Sequence, residues 1–348
     1  MDKISVLVAA YNVEKHIEIC LNSLKGQSHR EIEIIIVNDA STDRTNEIVV
    51  NYMNSNRDLD IKYIIHETNR GSAAARKTAL EHATGDFIHI LDADDFIMPD
   101  TYRNAVYNMK ALACEICMWG WIELTESQDR LFEYQERFHY FDGILSGAEV
   151  CKRKICRWLW ICSGSALYSS ELVRKNEPVF FQGLNMGEDF YFICKLLINC
   201  KRVCCLSEQN FRCVNRSGSM THHMFSEQHS HPFELFRRFH GEAEQSVLLN
   251  KKEKEEIQAW VDAECRRTYI AYAKLACQTF YNRSVNEILS AIAVLGYCHK
   301  KIPKPYLSII GKKNKIEYVL MHGALRLYCI MYKTWLIVRY HVNEKNGE

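Results

Sequence analysis

Three carboxylates fall within four positions at the end of Phe87-Ile88-His89-Ile90-Leu91-Asp92-Ala93-Asp94-Asp95. An apolar run of this length, entered from Gly85-Asp86, reads as a strand buried on both faces. The carboxyl end of such a strand is where ligands bind in an open α/β sheet. Asp92, Asp94 and Asp95 repel one another, so a fold that gathers them needs a counter-charge. A hard divalent cation carrying substrate phosphates would supply it, because Mg2+-type sites use one or two carboxylates and complete their shell with phosphate oxygens. The competing reading is an acidic loop that caps the next helix, with Pro99 in its first turn. A DxD pattern by itself does not separate the two.

The elements upstream must bring further polar groups to the same edge. Ile4 to Ala10 is predicted as a strand ending at Tyr11-Asn12, and Glu14 to Leu24 has helical spacing. Glu33 to Val37 is a second strand, closing on Asn38-Asp39-Ala40-Ser41-Thr42-Asp43, a turn and helix N-cap before a helix to Tyr52. Ile61 to Ile65 is a third strand, followed by the turn Asn69-Arg70-Gly71-Ser72 and an alanine-rich helix to Ala83. This alternation implies a parallel sheet with right-handed crossovers. It brings together Tyr11, Asn12 and Glu14 from the first strand end, Asp39 from the second, Arg76 beyond the third, and Asp92 to Asp95 from the fourth. Neither GxGxxG after the first strand nor GxxxxGK[ST] is present, which disfavours dinucleotide and P-loop folds.

Composition bounds the class. The 348 residues suit two modest domains, or one large α/β domain with a tail, and 47% hydrophobic content can bury a sizeable core. A net charge of +1 argues against a dedicated nucleic-acid binder. The 15 cysteines are irregularly spaced; Cys114 and Cys117 form a lone CxxC, Cys204 and Cys205 are adjacent, and no second CxxC completes a zinc set. With no signal-peptide pattern at Met1-Asp2-Lys3, reduced thiols in a cytosol are expected. No uncharged apolar run reaches the roughly 18 residues of a membrane span.

Four stretches together, VAAYNVEKHIEICLNSLKGQ, IEIIIVNDASTDRT, NRGSAAARKTAL and TGDFIHILDADDF, resemble the nucleotide-sugar domain of family-2 glycosyltransferases, which have the GT-A fold. The resemblance is dense over residues 3–125 and continues in patches to about 220; Ala9 departs from it, standing where the family usually has proline. It implies a GT-A domain over 1–222, with a nucleotide-sugar half (1–125) and an acceptor half (126–222), followed by a helical accessory region over 223–348. It further implies an inverting transfer from a nucleotide-activated sugar, a UDP-sugar above all, to a hydroxyl of a glycan or glycolipid acceptor. Asp39 would hydrogen-bond the base, with Tyr11 packing near it and Asn12 and Glu14 close to the nucleoside. Asp92 would contact ribose, Ala9 and Ala93 would belong to the same donor-binding set, and Arg76 would steady the pocket or its carboxylates. Asp94 would bind Mn2+ or Mg2+ bridging the diphosphate, with Asp92 acting on the metal indirectly.

Asn185-Met186-Gly187-Glu188-Asp189-Phe190 matches the family's "ED" motif, whose aspartate is the catalytic base. A sugar hydroxyl needs such a carboxylate to take its proton in the transition state; the alternative is plain N-terminal charge on the helix that follows. Arg212, Arg216, Ser217, Gly218, Ser219 and Thr221 resemble a segment that closes over the diphosphate. His222 or His223 could complete a metal shell, or both could belong to a polar connector. Trp158 and Trp160 could stack on a sugar or be buried, while residues 125–145 are expected to form a hairpin or loop over the site. Helices are expected from Glu227 to Phe280 and from Asn286 to Leu295. Residues 316–341, apolar with interspersed Arg326, Lys333 and Arg339, read either as a core helix or as a peripheral contact with the inner face of the cell membrane. Two rival functions remain: a nucleotidyltransferase making NDP-sugars, which usually carries a glycine- and lysine-rich loop that this chain lacks, and a non-catalytic sugar or nucleotide binder.

Overall fold

The computed structural model describes residues 2–216, 224–296 and 325–336; His222, His223, the Ser217 to Thr221 segment and much of 316–341 lie outside them. Two compact units are present: Met1–Ser217 with Glu242–Asn250, and Gly218–Gly241 with Lys251–Glu348.

The first unit opens with β1 (Ile4–Ala10), α1 (Ile17–Lys25), β2 (Ile32–Asn38), α2 (Thr45–Ser55), β3 (Asp60–Ile65), α3 (Ser72–Glu81), β4 (Phe87–Asp92) and the short β5 (Phe96–Ile97). It continues with α4 (Thr101–Ala111), β6 (Ile116–Thr125), β7 (Arg130–Glu133), β8 (Ile144–Leu145), α5 (Gly147–Ile155), β9 (Ala166–Ser169), α6 (Ser170–Lys175), α7 (Glu188–Ile198) and β10 (Val203–Asn215). All the strands form one sheet in the order β3-β2-β1-β4-β9-β6-β10-β5, with β7 added to β6 and β8 to β10. β3, β2, β1 and β4 run parallel, as the strand–helix alternation requires. β9 is antiparallel to both β4 and β6, and β10 is parallel to β6, so the sheet is mainly parallel with one reversed central strand. Apolar runs in β1, β2 and β4 are buried because helices cover both faces of such a sheet.

Some element boundaries differ from the sequence reading. α1 starts at Ile17 because the Val13 carbonyl accepts the amides of His16 and Ile17, which makes a turn before the helix. Val203–Asn215 is one strand, β10, whose pairing with β6 continues through register shifts between Leu206 and Phe211. A bulge absorbs the polar residues there. Glu242–Asn250 belongs with the first unit: Glu242 Oε1 accepts Lys195 Nζ and the Tyr191 hydroxyl (both 2.9 Å), and Ser246 Oγ donates to the Ile198 carbonyl at 2.9 Å.

In the second unit, α8 (His231–Gln245) up to Gly241 comes first, followed by α9 (Lys251–Thr279), α10 (Val285–Ala293) and a helix over 325–336. That last helix is two-sided: Tyr328, Cys329 and Leu336 are buried, whereas Leu327, Ile330, Met331 and Trp335 are exposed. No helix among the described residues is long and apolar enough to cross a membrane.

At the edge of the sheet where the parallel strands begin, Glu33 is fully buried. It accepts hydrogen bonds from Ser5 Oγ (2.5 Å), Thr84 N (2.6 Å), Gly85 N (3.1 Å) and Lys62 Nζ (2.9 Å), and pairs with Lys3 at 3.0 Å. Burial pushes its proton affinity up, but the contacts from Ser5, Lys62, Thr84 and Lys3 outweigh that and hold it far below the usual carboxylate range. Its stabilisation is therefore complete above the unfolded value near 4.5 and is lost as pH falls through the lower folded value. Glu33→Gln is expected to cost about 2 kcal/mol at pH 7, a figure discounted for the partly exposed lysines. The gap between the urea midpoints of wild type and variant should narrow at pH 3; an unchanged gap refutes the role.

Candidate active site

The strand ends converge as the parallel sheet dictates, and most of their polar groups brace one another. Ala9 lies in the ladder between Val37 and Asp92, so its small side chain leaves room beside Asp92 on the same face. Asn12 and Ala40, which follow β1 and β2, both have positive φ (51° and 60°). For alanine this conformation costs roughly 1–2 kcal/mol, and such strain collects at ligand sites. Asn12 Oδ1 accepts the Thr42 amide (2.9 Å), and Glu14 Oε2 accepts the Arg44 amide (2.9 Å), so both hold the β2–α2 loop. Tyr11 is exposed.

Asp39 is buried and fully engaged: it accepts His66 Nδ1 at 2.6 Å, the Arg70 amide at 3.0 Å and the Gly71 amide at 2.7 Å. It fixes the turn that launches α3. Gly71 has φ 87°, and a Cβ there would stand 2.1 Å from Asn185 Nδ2, so only glycine lets the segment before α7 close on this turn.

Arg76, on the buried face of α3, is the hub. Its Nη2 meets Asp92 Oδ1 at 2.6 Å and its Nη1 meets Glu188 Oε1 at 3.0 Å. Burial alone would lower its proton affinity, but Asp92, Glu188 and Asp189 together hold it above its usual value. Glu188 also accepts Ser72 Oγ at 2.9 Å; burial, opposed by Arg76 and reinforced by Asp189, pushes its carboxyl up to about 7. Asp189 follows in the first turn of α7, after Gly187 in the left-handed conformation (φ 79°). It is half-buried, and its Oδ1 accepts the Phe190 amide at 2.7 Å.

The three carboxylates after β4 take three different roles. Asp92 is the most open of them and pairs with Arg76. Ala93 is buried. Asp94 is paired with Arg216 Nε, and burial followed by the charge of Asp92 pushes its carboxyl up. Asp95 is buried and accepts the Val214 amide at 2.8 Å, so it serves the fold by tying β10 to the β4 end.

The comparisons fit this geometry. A family model described as glycosyl transferase family 2 matches residues 5–158. Among curated relatives of the family, glycosyltransferase GlyA of Streptococcus pneumoniae is 28% identical over 63% of this chain and 32% of its own length. The poly(ribitol-phosphate) beta-N-acetylglucosaminyltransferase TarS of Staphylococcus aureus is 31% identical over 61% of this chain and 35% of its own. The chain thus spans about a third of the length of these two relatives. The crystal structure of TarS 1–349 with UDP-GlcNAc superposes with a TM-score of 0.67 at 22% identity, covering 99% of this chain and 92% of that one. A mannosyltransferase of Pyrobaculum calidifontis with GDP-Man and Mn2+ gives 0.55 at 18% identity, covering 99% and 88%. The GT-A fold expected from the sequence is the fold observed.

Against that family frame, several residues behave differently from the sequence reading. Within 125–145, β7 completes a hairpin with the end of β6 while β8 pairs with β10; Tyr134 is buried and packs on Trp121 (ring centroids 4.9 Å apart) and Tyr140 (4.8 Å), so these rings build core. Trp160 carries Lys154 Nζ over its ring at 3.9 Å and stacks with Phe138 at 6.0 Å; Trp158 lies under Arg153 at 4.6 Å. Trp160 thus packs on protein partners, whereas Trp158 stays exposed beside Arg153. Glu188 as partner of Arg76 and Asn185 against Gly71 had no distinguishing sequence signal, because each acts through residues far away in the chain.

Proposed function

We infer that this chain is an inverting glycosyltransferase that moves a sugar from a UDP-sugar to an acceptor hydroxyl in cell-surface polysaccharide or glycolipid synthesis. The supporting observation is the Arg76 bridge, which joins Asp92 of the β4 end to Glu188 beside Asp189. One buried cation thereby sets the nucleotide-side carboxylates and the prospective base in register. Glu188 is buried against Arg76 and Ser72, whereas Asp189 is partly open, which favours Asp189 as the group that meets the acceptor. Asp189 would take the hydroxyl proton as the oxygen attacks the anomeric carbon and the bond to UDP breaks on the opposite face. A single displacement inverts configuration and needs no covalent enzyme intermediate.

A divalent cation fits the β4 end. Asp94 and Asp92 offer acceptor oxygens only, and each already draws a positive partner, Arg216 and Arg76. A Mn2+ or Mg2+ ion there would be held by one or two of these carboxylates plus phosphate. Bound there, it would supply Lewis-acid stabilisation to the departing diphosphate. Tyr11, exposed at the end of β1, would pack on the base, while Asp39 would contribute chiefly by holding the loop 70–71. N-acetylglucosamine is the first donor sugar to try, since TarS is named for it. The exposed apolar face of 325–336 supports peripheral contact with the inner face of the membrane.

Release of UDP from a panel of UDP-sugars, with and without Mn2+, tests the reading. Slow metal-dependent hydrolysis of one donor, lost in Asp94→Asn, is the expected result. No turnover and no nucleotide binding across UDP- and GDP-sugars would sink it.

A further inference from the structure

We propose that Arg216 is a tethered counter-ion that competes with the divalent cation for Asp94, and that a nucleoside diphosphate relieves the competition by offering the guanidinium another anion. The proposal rests on the metal reading above and adds a residue that sets how the metal binds.

Two arginines serve the β4 carboxylates, and they are built differently. Arg76 projects from inside α3, its side chain is 6% exposed, and it is paired with two carboxylates at once. It is part of the fold. Arg216 comes one residue after the end of β10, is 23% exposed and pairs with one carboxylate, its other arm reaching the Asn12 carbonyl at 3.4 Å. It spans the mouth between the β1 and β4 ends. Its backbone is anchored two residues back, where Asp95 holds the Val214 amide at 2.8 Å. The side chain can therefore swing off Asp94 while staying within reach of it.

Asp94 is half-buried beside Asp92 and Asp95, so its charged form favours an accompanying cation. Without ligand, Arg216 fills that role. A metal ion arriving alone must displace it and leave a guanidinium with no anion to pair with. A metal ion arriving with a diphosphate leaves Arg216 facing phosphate oxygens, which its planar fork suits. The two ligands then favour each other's binding, reciprocally. A partly exposed ion pair of this kind weakens the metal's apparent affinity several-fold.

The test is Mn2+ binding to the full chain, followed by the electron paramagnetic resonance signal of free Mn2+, in wild type, Arg216→Ala and Arg216→Lys, without nucleotide. Calorimetric titration of UDP without metal accompanies it, and urea unfolding verifies that each variant is folded. Arg216→Ala is expected to bind Mn2+ about fivefold more tightly than wild type and UDP more weakly. Arg216→Lys should stay near wild type for the metal because it keeps the charge. Adding Asp94→Asn to Arg216→Ala should erase the gain. Unchanged or weaker Mn2+ binding in Arg216→Ala overturns the proposal. If no variant binds Mn2+ even with UDP while UDP still binds, the metal assignment falls and takes the proposal with it, and the donor reading stands. Loss of UDP binding in wild type would instead overturn the donor reading and the proposal together.

Discussion

Asp189→Asn is expected to lower turnover by roughly 10²–10⁴-fold, the usual contribution of a positioned general base, while leaving UDP-sugar affinity within about twofold. The amide keeps the size and the hydrogen bond from Phe190 but cannot accept the acceptor's proton. Donor binding is expected to be spared because the residue belongs to α7 and its Oδ1 is engaged with the Phe190 amide. The neighbouring acid supplies the control. Glu188→Gln should lose less turnover than Asp189→Asn, since Glu188 is buried against Arg76 and Ser72 and acts by placing α7. Turnover per enzyme and UDP-sugar dissociation constants, measured for both variants, decide it; near-normal turnover in Asp189→Asn would show that the proton goes elsewhere.

Arg76→Met should be the most destabilising single change in the site, by about 3–5 kcal/mol, because it strands Asp92 and the buried Glu188 without their shared cation. Methionine keeps much of the side-chain volume, so the loss reports charge rather than a cavity. Arg76→Lys should recover only part of it: one ammonium cannot reproduce the planar fork that spans Nη1 to Glu188 and Nη2 to Asp92. Combining Arg76→Met with Glu188→Gln should return some stability by removing one stranded charge, a non-additivity that a double-mutant cycle in urea would reveal. Strict additivity would mean that the two side chains do not share an interaction.

The same network explains what could and could not be seen in the chain. Period and composition located β1, β2 and β4 because each had to be largely apolar to lie between two helix layers, as Ile34 to Val37 do. The order of strands and helices then forced Asn12, Asp39 and Asp92 to one edge. His89 shows where local reading stops: a polar residue in an apolar run is accommodated by Tyr102 Oη at 2.7 Å and the Gly164 carbonyl at 3.1 Å, and burial drops its proton affinity to about 4, leaving it neutral. Neither partner could be inferred from the spacing around residue 89.

The sequence by itself determined the sheet, the edge at which chemistry is possible and the identity of the acids that stand there, because those follow from hydrophobic period and chain connectivity. Only the tertiary structure decided which acids are spoken for. Asp39 is spent on the Arg70 and Gly71 amides, Asp95 on Val214, Glu188 on Arg76, and Asp94 on Arg216, whereas Asp189 is left partly open. The reason is electrostatic: once carboxylates are buried together, each must find a donor or a cation, and those partners come from positions up to 122 residues away. No local pattern encodes such a pairing.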